Sequence, residues 1–244
     1  RLPECEDALV TFVDIAPARE ELRQLAEVAE QVVVLDHHVT AKERLLRDAD
    51  WIAALEEDGH ELRFELGNSG SVLAWQHFHP TTPVPPLLQY VQDQDLWNWA
   101  LPASDAVNAA LASYAHDFEV WDRLAARPIE ELAREGEPIL RANRMDVERH
   151  LDQARPAALG TKRIEAVNAS TNRSQIGHRL AERARFGTRF GLVYRIEGSD
   201  VFATLYSIGD VDIAKIAVEY GGGGHKNAAG FRVPLTRWLE EFVI

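Results

Sequence analysis

The sequence predicts an α/β protein: an N-terminal parallel-sheet domain, then a helical linker, then a smaller α/β domain at the C-terminal end. Three observations carry that reading. Two short apolar runs, residues 8–13 and 31–35, flank an amphipathic stretch at 17–30, which makes a strand–helix–strand unit. From 104 to 151 the pattern is mostly helical. Beyond 160, apolar stretches at 163–168, 190–196 and 201–207 alternate with helical patterns at 174–185 and 213–220. The boundaries drawn from this are 1–125, 126–159 and 160–244, with 156–160 as the break between domains.

Taken in order, residues 8–13 and 31–35 are short and β-branched, as buried strands are. Between them Leu22, Leu25, Val28 and Ala29 share one helical face, and Pro17 stands near the start, where its missing N–H costs nothing. Strands joined by a helix run parallel. Asp14 and Asp36, each directly after its strand, therefore fall at the same C-terminal sheet edge, where open α/β sheets place their ligands. Residues 41–57 read as a helix, 60–66 as a strand and 70–78 as a helix. A proline-rich stretch at 80–86 punctuates, and a helix resumes at 87–91 that carries Asp93 and Asp95. Near the other end, 190–196 and 201–207 pair around the turn from Glu197 to Asp200.

The net charge of −13 argues against a long DNA duplex gripped by its phosphates. No apolar run approaches the roughly 20 residues that span a bilayer, so no membrane partner is expected either. The single Cys5 excludes an internal disulfide and fits a reducing cytoplasm. The chain starts at Arg1 and its one methionine is Met145, so it reads as a fragment.

Asp36, His37 and His38 follow the second apolar run directly. A carboxylate and two imidazoles at a strand tip suit a divalent ion such as Mn²⁺ or Mg²⁺, and mixed His/Asp shells suit Mn²⁺ in particular. With Asp14 and an aspartate from Asp93-Gln94-Asp95 they make a candidate two-metal set, which needs ions ~3.5–4 Å apart and usually a bridging carboxylate. Taken singly, Asp14 reads equally as a helix cap and Asp93 or Asp95 as a solvated turn. The triplet is harder to explain as filler.

The second constellation is Gly221, Gly222, Gly223, Gly224, His225 and Lys226. Its spacing matches neither the dinucleotide fingerprint nor the nucleotidase phosphate loop. A polyglycine turn can still expose a nest of N–H groups to an anion, with His225 and Lys226 adding charge-assisted bonds. The plain alternative is a loop between two elements. His77 and His79 read as helix-end residues, Trp97 and Trp99 as packing rather than base-stacking groups, and residues 68–71 as a helix start able to cap or to receive phosphate.

These residues resemble the DHH phosphoesterase superfamily, named for the triplet at 36–38. The stretch 222–225, followed by Lys226 and Asn227, resembles the hallmark of its DHH-associated C-terminal domain. Asp14 matches the family's second motif, residues 67–75 the helix start seen in oligoribonuclease-like members, and residues 93–97 the fourth motif. The resemblance covers nearly the whole chain. It implies an N-terminal DHH domain, here lacking its first strand, and a two-ion Mn²⁺ centre in the complete protein, with Mg²⁺ as the second choice. It implies a hydrolase of short oligoribonucleotides or (di)nucleotides. By position, Asp14 would bridge the metals, His37 and Asp93 would coordinate, Asp36 would orient its neighbours and His38 would face the scissile phosphate. Gly222, Gly223, Gly224, His225 and Lys226 would hold the substrate.

Two departures from the family follow. The first motif has no counterpart in residues 1–13, so an upstream segment with one strand is expected, and a nucleotide-binding module without turnover is the alternative reading. Where many relatives carry Arg-Ser, this chain has Tyr206-Ser207. The choice among nucleotide substrates stays open, as does a homodimer, which the helical middle segment could serve as readily as a hinge.

Overall fold

The computed structural model describes residues 5–244, which divide into two compact units at 140/141. The first contains β1 (Leu9–Val13), α1 (Arg19–Ala26), β2 (Gln31–Asp36), α2 (Val39–Leu45), α3 (Ala49–Glu57), β3 (Glu61–Phe64), α4 (Gly70–Phe78), α5 (Pro86–Asp95), α6 (Ser104–Leu111), α7 (Phe118–Ala125) and the start of α8 (Ile129–Asp152). Its sheet is parallel in the order β1-β2-β3, with Val13 beside Leu35 and Asp36 beside Phe64.

β2 is apolar from Val32 to Leu35 because both of its faces are covered there. Val32 and Val34 pack with Leu22, Leu25, Leu45 and Leu55, while Val33 and Leu35 pack with Leu73. β1 differs from its expected burial. It is an edge strand whose Val10 and Phe12 join the first of these clusters, whereas Leu9 is 69% exposed and Val13 38%. The single helix expected over 41–57 is two, because Asp48 accepts a hydrogen bond from the Trp51 N–H at 3.1 Å and caps α3 afresh.

The boundaries expected at 125 and 159 are not where the contacts divide. Leu132, early in α8, packs with Leu87, Val107, Leu111 and Leu124. Val147 and Leu151, late in the same helix, pack with Val167, Ile176, Leu180 and Tyr206. One helix thus serves two cores. The break expected at 156–160 is instead a strand, β4 (Arg155–Leu159), with Ala157 and Leu159 buried. Its position at the sheet edge is what lets it hold Pro156.

The second unit continues with β5 (Lys162–Asn168), α9 (Arg173–Arg183), β6 (Phe190–Glu197), β7 (Asp200–Ser207), α10 (Ile213–Glu219), β8 (Gly223–His225), β9 (Ala228–Pro234) and α11 (Leu235–Glu241). Its six strands run in the order β4-β5-β6-β7-β9-β8, parallel between β5 and β6 and antiparallel elsewhere. One face carries Ile164, Leu192, Leu205, Phe231 and Phe242, the other Val167, Val193, Ile176 and Leu180. No helix of the described residues is long and apolar enough to cross a membrane.

Candidate metal centre

The parallel register brings the ends of β1 and β2 side by side. The Asp14 N–H donates to the Leu35 carbonyl at 2.9 Å, which prolongs the pairing by one residue. There the backbone turns sharply, with Asp14 at φ 62, a conformation costly for a residue that carries a Cβ. A close neighbour accompanies that turn. A Cβ added to Gly70, the first residue of α4, would lie 2.4 Å from the Asp14 Cβ and 2.8 Å from its Cα. Only glycine lets α4 begin against this aspartate. Residues 68–71, expected as a cap or a phosphate-receiving helix start, form a cap, with Ser69 Oγ accepting from the Val72 N–H at 3.3 Å.

His37 is sealed at 2% exposure, and its Nε2 lies 2.9 Å from Asp14 Oδ1 and 3.4 Å from Asp95 Oδ2. Ligand atoms of Asp14, His37 and Asp95 all fall within 4.8 Å of one another, as do those of Asp14, Asp36 and His38. Asp36, 1% exposed, turns Oδ1 onto the residues that follow it. That oxygen accepts from the His37 N–H at 2.7 Å and the His38 N–H at 3.2 Å, and it meets His38 Nδ1 at 2.6 Å. Its Oδ2 is buried and has no hydrogen-bond partner among the described residues. Imidazole nitrogen, three carboxylates and an orphaned buried carboxylate oxygen together fit a divalent cation.

The electrostatics point the same way. Burial would raise the Asp36 carboxyl, but the bonds from His38 and the two backbone N–H groups outweigh it and hold the group below its ordinary value. The same bond from Asp36 holds the His38 imidazole above its ordinary value, against the effect of burial. Asp95 is raised, first by burial and also by the Asp14 charge beside it. Crowded carboxylates of this kind are relieved by a cation.

Asp93, expected as a ligand, does not join the group. It is buried, and its two oxygens accept from the Ala100 N–H at 3.0 Å and the Leu101 N–H at 3.2 Å. Its backbone carbonyl accepts from Asn98 and Trp99. These bonds hold the loop after α5, in which Trp97 and Trp99 both adopt positive φ and meet edge-on with ring centroids 5.0 Å apart. On a helix, residues two apart face nearly opposite ways, so only one of Asp93 and Asp95 can reach the strand edge. Asp95 does. His77 and His79 lie elsewhere, near Glu61 and against Trp75 respectively.

In the second unit the glycine run is bound up in packing. The N–H groups of Gly221 and Gly222 donate to Val218 and Ala217 and close the end of α10. A Cβ on Gly222 would lie 2.0 Å from the Gly230 carbonyl oxygen, and one on Gly224 2.6 Å from that of Ala228. Those positions are glycine because β9 passes too close for anything larger. Gly223 and Gly224 pair with Gly230 and Ala229 in the hairpin, and His225 pairs with Ala228. Lys226 Nζ reaches Asp210 at 3.2 Å. Of the pair at 206–207, Tyr206 takes a hydrogen bond from Ser174 at 3.3 Å, and Ser207 donates to the Val211 carbonyl at 2.8 Å.

Sequence reasoning named Asp14, Asp36, His37, His38 and the 93–95 segment, and it missed Gly70 as a partner of Asp14. The signal was there in the glycine at a helix start.

No protein-family model matches the chain. Over 218 residues, 86% of this chain, it is 26% identical to an uncharacterized protein of Acanthamoeba polyphaga mimivirus, and it spans about half that relative's length (49%). Among solved structures it is similar to the DHH domain of a member of the s1p family of ribosomal proteins, with a TM-score of 0.51, 13% identity and coverage of 96% of this chain and 67% of that one. A weaker likeness, with a TM-score of 0.46 and 18% identity, is to RecJ from Thermus thermophilus in complex with Mn²⁺, covering 95% of this chain and 43% of that one. The parallel three-stranded sheet and the second, mixed sheet are the fold of a DHH-domain protein.

Proposed function

We propose that the chain carries the metal site of a DHH-superfamily phosphoesterase that hydrolyses phosphoester bonds in short oligoribonucleotides or (di)nucleotides. The observation that supports this most is the approach of Asp14 and Asp95 to one nitrogen of the sealed His37, at 2.9 and 3.4 Å. Three donors from separate segments meet at one point although both carboxylates could be solvated apart. A cation is the simplest reason for two like charges to share that point.

Asp14, His37 and Asp95 would hold the ion, and Asp36 with His38 lies beside it. Mn²⁺ suits one imidazole among carboxylates, with Mg²⁺ the second choice. When bound, such an ion supplies an activated water and offsets charge building on a phosphoryl oxygen. His38, held through Nδ1 and biased toward its cationic form, suits a phosphate contact and a proton donor. In the second unit, His225 and Lys226 are the side chains we assign to substrate phosphate, with Gly222, Gly223 and Gly224 shaping the hairpin that carries them.

The test uses Mn²⁺ titration by calorimetry and cleavage of a 5′-phosphorylated RNA dinucleotide by the full-length protein. His37→Ala should weaken Mn²⁺ binding and slow cleavage by more than about 100-fold, beyond what loss of an outer partner costs. Asp36→Ala should slow cleavage with a smaller loss of metal affinity. Normal turnover by both variants would end the hydrolase reading.

A further inference from the structure

Within the first unit, a cavity of about 320 Å³ lies between α4, α5 and the loop after α5. Five carboxamides line it: Asn68, Gln76, Gln89, Gln92 and Asn98. Such a volume falls at the low end of ligand pockets, about 300–1,000 Å³. Four of them are already fixed at one end by a partner that permits only one orientation.

Asn68 Nδ2 donates to the Glu65 carboxylate at 2.7 Å, which leaves its oxygen as an acceptor. Gln89 Nε2 donates to the Val84 carbonyl at 3.0 Å, which again leaves the oxygen. Gln76 Oε1 accepts from the Arg63 guanidinium at 2.8 Å, and Gln92 Oε1 accepts from the Ser69 N–H at 2.8 Å, so each retains an NH₂ donor. A guanidinium and a backbone N–H can only donate, and a carbonyl and a carboxylate held below its ordinary value only accept, so no amide can flip. Four of the lining residues therefore carry, beyond these bonds, two acceptor ends and two donor ends of settled identity.

The occupant this selects is neutral. No cationic side chain lines the cavity, and the Asp93 carboxylate in its wall would repel an anion. The occupant must also donate and accept along its edge and present apolar faces to Val72, Val84 and Leu101. A planar ring with alternating N–H, carbonyl and ring-nitrogen groups meets all three demands, and carboxamides are a natural complement to such edges.

We propose that this cavity is a nucleobase pocket. Its frame is shared with the metal centre. Gln92 grips the N-cap of α4 one residue before Gly70 meets Asp14, and α5 carries both Gln92 and Asp95. As the place where the substrate's base sits, the pocket rests on the hydrolase reading. As a base-binding site it does not.

The test separates the two. Adenosine, guanosine, cytidine, uridine and ribose, none of them phosphorylated, are titrated into the full chain without metal and followed by ¹H–¹⁵N NMR. At least one nucleoside should bind saturably while ribose does not. Gln76→Leu and Gln89→Leu should each weaken that binding about tenfold and leave Mn²⁺ affinity unchanged, with thermal melts confirming that both variants fold. Absence of nucleoside binding, equal binding of ribose, or unchanged affinity in both variants would overturn the pocket. Nucleoside binding that persists in a protein unable to cleave the dinucleotide would overturn the hydrolase reading and leave the pocket standing.

Discussion

The end of the small parallel sheet and the glycine hairpin of the larger sheet both looked like ligand sites, yet the fold treats them in opposite ways. At the first, Asp14 sits in a costly backbone conformation, Asp36 and His37 are buried polar groups, and Gly70 is hollowed out to admit the aspartate. None of this improves the packing of an apolar core. At the second, the glycines close a helix end and let β9 approach, as small residues do in any tight hairpin. Two histidines, one in each unit, are shifted in opposite directions. His38 is pushed up by a carboxylate placed for it, whereas His178 is pushed down to about 4 by burial. The strained turn and buried carboxylate at the strand edge have no packing reason, whereas the glycines of the hairpin have one in the close approach of β9.

The sharpest way to break that contrast is to exchange the two aspartates of α5. Asp95→Asn should lower Mn²⁺ affinity by more than about 100-fold, because an amide neither carries the charge nor relieves the crowding with Asp14. Asp93→Asn should leave Mn²⁺ affinity within about twofold and instead loosen the loop whose N–H groups its carboxylate holds, at about 1–2 kcal/mol. Calorimetric titration beside a denaturant melt reads both effects. If Asp93→Asn lost the metal and Asp95→Asn kept it, the ligand would have to be reassigned.

Next in size is the acid response of the second unit. His178 titrates near 4 in the folded protein and near 6.5 when unfolded, the shift coming from burial. Between those values the unfolded chain binds a proton that the native state refuses, so stability falls as pH drops from about 6.5 to about 4, with no contribution from this group above that window and no further change below it. The full effect is up to about 3 kcal/mol. Native-state hydrogen exchange of the β6 and β7 amides at pH 7 and pH 5 would show it, and His178→Gln should abolish the difference. Equal protection at both pH values in the unaltered protein would refute it.

How much of this could be read from the sequence depended on whether the information was local. The β2 run and the triplet at its end were legible because a central parallel strand is apolar on both faces, here from Val32 to Leu35, and three polar residues at its tip have no packing purpose. The division at 140/141 was not, because α8 is one continuous helical pattern and only its partners, Leu132 on one side and Val147 with Leu151 on the other, differ. The choice of Asp95 over Asp93 was also hidden, since it rests on how far α5 is rotated about its axis. The four glycines are ambiguous for a similar reason. A run of small residues shows that something comes close, but not whether it is a phosphate or a neighbouring strand.

That ambiguity yields the finest test, a pair of glycine-to-alanine changes of equal chemistry. Gly222→Ala drives a methyl toward the Gly230 carbonyl, and Gly70→Ala drives one toward the Asp14 backbone. Each should cost about 1–3 kcal/mol of stability through overpacking. Their consequences should then diverge. Gly222→Ala should separate β8 from β9 and leave Mn²⁺ affinity as it was, because Asp14, His37 and Asp95, the ligands proposed above, lie on other segments. Gly70→Ala should push Asp14 off His37 and weaken Mn²⁺ binding about tenfold, and chemical-shift changes should appear at Asp14 and Leu35, whose backbone bond would be strained. Unchanged Mn²⁺ affinity in a destabilised Gly70→Ala protein would mean that the tight approach of α4 serves packing alone. The strand edge and the hairpin would then differ less than their geometry implies.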